Sequence, residues 1–141
     1  MSPLSSDSWT QVGSDVEGEA NGDVSGRAVS FSADGSTIAI GASGNDEEVT
    51  DAGPVRIDRW NGDSDNWVQL GSDIDGQAAG DEFGSAVSIS KDGTTVAIGA
   101  VFGTHSDTTD HTGRVRIYTW CSSSWTQVGG DLEGYLEGDQ Y

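Results

Sequence analysis

The residues best suited to chemistry in this 141-residue chain are carboxylates in a recurring pattern. Asp15-Val16-Glu17-Gly18 returns as Asp73-Ile74-Asp75-Gly76 and as Asp131-Leu132-Glu133-Gly134, and Gly22-Asp23 returns as Gly80-Asp81 and Gly138-Asp139. In an extended segment alternate side chains share a side. Asp73 and Asp75 then point together, and Asp81 can fold back beside them. Three hard oxygen donors of this kind suit Ca2+, and Asp15, Glu17 and Asp23 repeat the set. The same pattern equally fits a solvated turn whose glycines set the path of the chain.

A second donor group lies in residues 101–112, which hold His105, Asp107, Asp110 and His111. The corresponding stretch, 43–52, has no histidine and carries Asp46, Glu47, Glu48 and Asp51. Donors present in one copy only, without fixed ligand spacing, read as a polar surface loop before they read as a metal site. No catalytic set is visible. The serines lack a strand–elbow–helix context, and no Gly-rich loop precedes a helix to cradle a phosphate. The expectation is a chain that is not an enzyme. Five tryptophans offer stacking surfaces for a glycan, or a packed core.

The elements that position these residues repeat. Trp-(Thr/Val)-Gln-(Val/Leu)-Gly occurs at 9–13, 67–71 and 125–129, spaced by 58 residues both times. Ala28-Val29-Ser30-Phe31-Ser32 matches Ala86-Val87-Ser88-Ile89-Ser90, and Ile38-Ala39-Ile40-Gly41-Ala42 matches Val96-Ala97-Ile98-Gly99-Ala100. Val55-Arg56-Ile57 matches Val115-Arg116-Ile117 at a spacing of 60, so the length changes fall in loops. A repeat of this length is one supersecondary unit stacked on its neighbours.

Every apolar segment has period two. Val29/Phe31, Ile38/Ile40, Val55/Ile57 and Val68/Leu70 mark four short strands per unit. The opposite faces of the first two are small (Ala28, Ser30, Ala39). The third places Arg56 and Asp58 on its other face, which predicts a strand nearer solvent. Ala33-Asp34-Gly35-Ser36 and Lys91-Asp92-Gly93-Thr94 read as tight hairpins in which Asp-Gly supplies the positive φ. The predicted fold is all-β: tandem four-stranded antiparallel blades of the β-propeller type, about two complete and with incomplete ends. The segments are 1–8, an orphan closing strand and turn at 9–23, a first blade at 24–71, an acidic turn at 72–81, a second blade at 82–129, and the start of a third unit at 130–141.

Phe83-Gly84-Ser85-Ala86-Val87-Ser88, Val96-Ala97-Ile98-Gly99-Ala100 and Gly113-Arg114-Val115-Arg116-Ile117-Tyr118 resemble an FG-GAP repeat, the blade of integrin α-subunit propellers and of many secreted or surface proteins. The first unit departs from it, with Ser25-Gly26 in place of Phe-Gly. The resemblance implies an extracellular or cell-surface module. Integrin blades often hold calcium in a loop of type D-x-(D/N)-x-D-G. Here that loop is a hairpin with one carboxylate, Asp34 or Asp92, so that calcium site does not carry over.

With 24 acidic and 6 basic side chains the formal net charge is −18. Such a surface is unsuited to nucleic acid and to anionic membranes, and no apolar run is long enough to span a bilayer. Residues 1–8 show no signal-peptide pattern, Cys121 is the one cysteine, and no N-x-(Ser/Thr) sequon is present. The copy at residue 9 aligns with a fourth strand whose first three are absent, and both terminal faces are expected to be apolar. Other copies of the chain are therefore the expected partner, joined end to end as a ring or filament through Trp9, Gln11, Val12, Leu132 and Tyr135. The alternative is a glycan- or protein-binding propeller module, part of a longer receptor-like chain.

Overall fold

The structure, a computed structural model, describes residues 8–19, 21–44, 54–77, 80–102 and 112–134. Within them all regular structure is β. Strands β1 (Ala28–Phe31), β2 (Thr37–Gly41), β3 (Val55–Asn61) and β4 (Asn66–Gln69) form one antiparallel sheet in chain order. β5 (Phe83–Ile89), β6 (Thr95–Ala100), β7 (Arg114–Cys121) and β8 (Ser124–Gln127) form a second, which β9 (Leu132–Glu133) extends by pairing with β7. The expected antiparallel four-stranded units are thus present as two sheets packed face to face.

The β1–β2 and β5–β6 turns follow their chemistry. Gly35 and Gly93 take φ of 72° and 75°. Asp34 accepts hydrogen bonds from Ser32 Oγ, Ser36 N and Ser36 Oγ, and Asp92 repeats this with Ser90 and Thr94. Hydrogen bonds, chiefly from Ser36, hold the Asp34 carboxyl down at about 2, and those from Thr94 and Ser90 lower Asp92 as well. The two turns also join: Ala33 N donates to Lys91 O at 2.9 Å.

Register decides which residues share a face, because directly opposed residues point to the same side. Val29 opposes Ile40, which opposes Arg56, and Phe31, Ile38, Asp58 and Gln69 line up in the next row. Ser30, Ala39 and Ile57 lie on the other face. Each sheet therefore has one face that is bulky on its first two strands and charged or aromatic on its last two. Its second face is small on the first two strands and apolar on β3 or β7. The small face of the first sheet meets the bulky face of the second. Ala39, Val55 and Ile57 from one side and Phe83, Ile89, Val96 and Ile98 from the other form the core.

The structure departs from three expectations. The third strand does not lie nearer solvent on its charged face: Asp58 is fully buried and Arg56 half-buried, because they pair with each other at 2.9 Å. Residues 9–12 form no strand; their Val12 carbonyl instead accepts from the Trp67 indole of the first sheet. The acidic motifs also sit differently from a free turn. Ile74 exchanges both backbone hydrogen bonds with Val55, as Leu132 opposes Val115, so each fourth strand resumes on its own sheet after a break at Gly71 or Gly129.

Candidate functional site

The repeated pentapeptide and the tryptophan pairs of the following unit meet in one arrangement, found twice. Trp125 donates its Nε1–H to Leu70 O at 2.9 Å, and Trp67 donates to Val12 O at 3.0 Å. The next residue is glycine each time. A Cβ on Gly71 would come within 2.7 Å of Trp120 and 3.2 Å of Trp125; one on Gly13 would come within 3.0 Å of both Trp60 and Trp67. The indoles of each pair lie edge to face or tilted, with centroids 5.3 Å (Trp60–Trp67) and 5.4 Å (Trp120–Trp125) apart, a favourable aromatic geometry. Phe31 packs on Trp67 at 6.1 Å, and Asn66 Oδ1 accepts from Ser14 N. Each pair is thus a seat for a turn of type (Val/Leu)-Gly. Four of the five indoles are committed in this way, and Trp9 alone is fully exposed.

The acidic motif is organised by hydrogen bonds and guanidinium groups. Gln11 bonds Asp15, Gln69 bonds Asp73 and Gln127 bonds Asp131, at 2.7, 2.6 and 2.7 Å. This links the pentapeptide to the first acid of the motif in all three copies. Arg116 forks onto Asp131 with bonds of 2.8 and 3.0 Å. Arg114 stands 3.2 Å from Asp131 and 3.3 Å from Glu133, and donates to Gln77 at 2.6 Å. The Arg116 bond, then Gln127, holds the Asp131 carboxyl below the usual range. Burial opposes the Arg116 charge, but Asp131 outweighs it and the guanidinium is raised. In the first sheet the same turn to a carboxylate goes to Asp58, whose place in the second sheet is taken by Tyr118. Asp58 raises Arg56, with Asp73 and Glu19 adding their fields.

Joining the two sheets is Phe83-Gly84. Phe83 is in the core, and Gly84, at φ 85°, lays its carbonyl against Gly41 so closely that a Cβ there would sit 2.0 Å from the oxygen. Residues 74–118 match the family profile described as the FG-GAP repeat. The chain carries an FG-GAP repeat. A comparison with curated proteins gave no match. The matched stretch of the FG-GAP repeat runs from the resumed end of the first sheet through β5 and β6 to Tyr118 on β7. It therefore includes the contact between units as well as the strands of one. In the first unit Gly26 keeps the positive φ, at 90°, but nothing described lies within 4 Å of the position a Cβ would take.

The expected calcium set is split by this arrangement. Glu17 and Asp23 line a cavity of about 20 Å³ together with Asp73, Glu19 and Arg56, so acids from two copies of the motif share one cavity with a guanidinium. Asp73 and Asp75 flank Ile74, whose backbone pairs with Val55, and Asp15 is held by Gln11. Asp81 is buried, and its carbonyl accepts from Phe102 N. Among the described residues no three of His, Cys, Asp or Glu gather into a metal-holding group. His105, Asp107, Asp110, His111, Asp46, Glu47, Glu48, Asp51 and Tyr135 lie outside the described residues. Of the expected assembly residues, Trp9, Gln11 and Val12 lie at one end of the stack, while Leu132 lies on the open face at the other. The indole seats are not among the sites expected from the sequence. Their signal was the pairing of Trp60 with Trp67 and of Trp120 with Trp125 across short hairpins.

Proposed function

We propose that the chain is a structural, non-enzymatic FG-GAP module that associates end to end with further copies of itself, outside the cell. The observation that carries this is a difference between equivalent positions. Val87 and Ile89 are half-buried and buried against the first sheet, whereas their counterparts Val29 and Phe31 are 57 % and 55 % exposed. At the other end, Val55 and Ile57 are buried, while Val115 and Ile117 are only partly so, beside Val128 (50 %) and Leu132 (52 %). The bulky face and the small face left open are the two kinds that mate inside the molecule. Fully burying a Phe or Val side chain stabilises by about 1.5–3 kcal/mol. The extracellular placement is supported by the FG-GAP resemblance. Propeller-type closure into a ring and growth into a filament use the same contact and differ in the rotation between copies.

Sedimentation and light scattering over a concentration series test this. Mass should grow with concentration, and Phe31→Glu should hold the chain at monomer size without unfolding it. A wild-type chain that stays monomeric into the millimolar range would sink the proposal, and electron microscopy of the associated material separates ring from filament.

A further inference from the structure

Two indole seats and three pentapeptides are present among the described residues, and the three peptides are not held alike. Leu70-Gly71 sits in the Trp120–Trp125 seat and is anchored from behind, with Leu70 N bonded to Ile57 O at 2.7 Å. Val12-Gly13 sits in the Trp60–Trp67 seat with no strand behind it, next to a fully exposed Trp9. Val128-Gly129 has the anchor and, among the described residues, no seat. Val128 N bonds Ile117 O at 2.7 Å, in the manner of Leu70. Gly129 takes φ 72°, against 77° at Gly71 and 75° at Gly13, and nothing described lies within 4 Å of its Cβ position. The third peptide is therefore already shaped as a ligand for a seat of this kind, and half-exposed.

We propose that residues 9–13 are a displaceable strap over the Trp60–Trp67 seat, and that what displaces them is the Gln127-Val128-Gly129 turn of a second copy. This rests on the end-to-end reading above and names its contact. The incoming turn is held by a β-sheet, so it gives up less conformational freedom on docking than the unpaired strap does. It also brings the small face of its own sheet over Val29 and Phe31, which the strap leaves open. A second copy is the fitting occupant because Leu70-Gly71 shows this turn, from the same sequence, seated within the chain. Seat occupancy by the strap then sets a threshold for association. A strap in place about nine-tenths of the time weakens the apparent affinity about tenfold.

Gly13→Ala and Gly129→Ala separate the parts, since a Cβ is refused by the seat in either peptide while the indoles stay untouched. The expected result is association about tenfold tighter in Gly13→Ala and at least tenfold weaker in Gly129→Ala, with thermal melting used to confirm that both variants fold. A synthetic peptide of residues 124–130 provides a readout that needs no assembly. It should shift the NMR signal of the Trp67 indole N–H, at about tenfold lower concentration in Gly13→Ala than in wild type. If the chains associate but Gly13→Ala binds no more tightly than wild type, the strap is refuted and the end-to-end reading stands. Should the peptide displace the strap while whole chains stay monomeric, the seat stands and the end-to-end reading falls. No shift of the Trp67 signal in either protein at millimolar peptide refutes the seat exchange itself.

Discussion

Trp125 gives its indole proton to the backbone oxygen of Leu70 at 2.9 Å, and through that bond the second sheet grips the end of the first. The donor is part-buried. Trp125→Phe keeps most of the ring and removes the bond, leaving the Leu70 carbonyl short of a partner. A loss of about 1–3 kcal/mol in urea unfolding is expected. Trp67→Phe, whose bond to Val12 is exposed, should cost less than about 1 kcal/mol. Equal losses would contradict the different anchoring of the two peptides.

Gly41→Ala should be among the most damaging single changes. Its Cβ would meet the Gly84 carbonyl, which is backbone and cannot swing aside. A loss above about 3 kcal/mol, or failure to fold, is expected. Gly26→Ala is the control: positive φ with nothing described within 4 Å of the Cβ position, costing about 1 kcal/mol. Similar melting temperatures for the two would refute the close packing of units.

Acid should destabilise the fold in a defined window. Asp131 is depressed by Arg116, Asp34 to about 2 by Ser36, and Asp92 by Thr94. A carboxylate whose folded pKa is depressed adds stability that is complete above its unfolded value, about 4. That stability is lost as pH falls through the folded value. Melting temperature should therefore hold above about pH 5 and drop towards pH 2. Asp131→Asn should melt lower at neutral pH and show a shallower drop on acidification.

Calcium should leave the fold unaffected. Asp131 and Glu133 face guanidinium groups and Asp73 bonds Gln69, so these acids already have partners. Melting in millimolar calcium and in chelator should agree within a degree or so, a shift smaller than about 0.5 kcal/mol would give. A calcium-dependent rise that vanishes in Asp73→Ala would instead make the acidic motif a ligand set.

Association should strengthen with salt. Each copy carries a formal charge of −18, and like charges repel. Raising ionic strength from about 0.01 to 1 M shortens the screening length from about 30 to about 3 Å. Apparent mass at fixed concentration should rise across that range. A fall would mean that ion pairs, and not apolar faces, make the contact.

Strand positions, hairpin turns and the two-unit layout were legible because period-two patterning and Asp-Gly turns are local signals. The assignment of residues to shared faces was not. Ile57 opposes Ala39 and Arg56 opposes Ile40, a phase set by the connection between β2 and β3. Alternation within either strand does not reveal it. Arg56 and Asp58 read as solvent-facing because a lone buried charge is costly, and their partnership two residues apart along one strand removes that cost. The seats escaped because a tryptophan at a strand end signals burial without saying what it grips. The bond from Gln to Asp four residues on was written three times in the sequence, but only coordinates turn that recurrence into a contact.

The placement of the arginines also governs the exterior. Arg27, Arg56, Arg114 and Arg116 are each ion-paired to a carboxylate, Arg114 and Arg116 with little exposure, which leaves Arg59 and Lys91 as the exposed cations outside those pairs. With four of the six basic groups paired to carboxylates, what water meets is close to a polyanion. Such a surface gathers a cloud of small cations whose density tracks the medium. The ionic composition around the chain is then part of its effective surface.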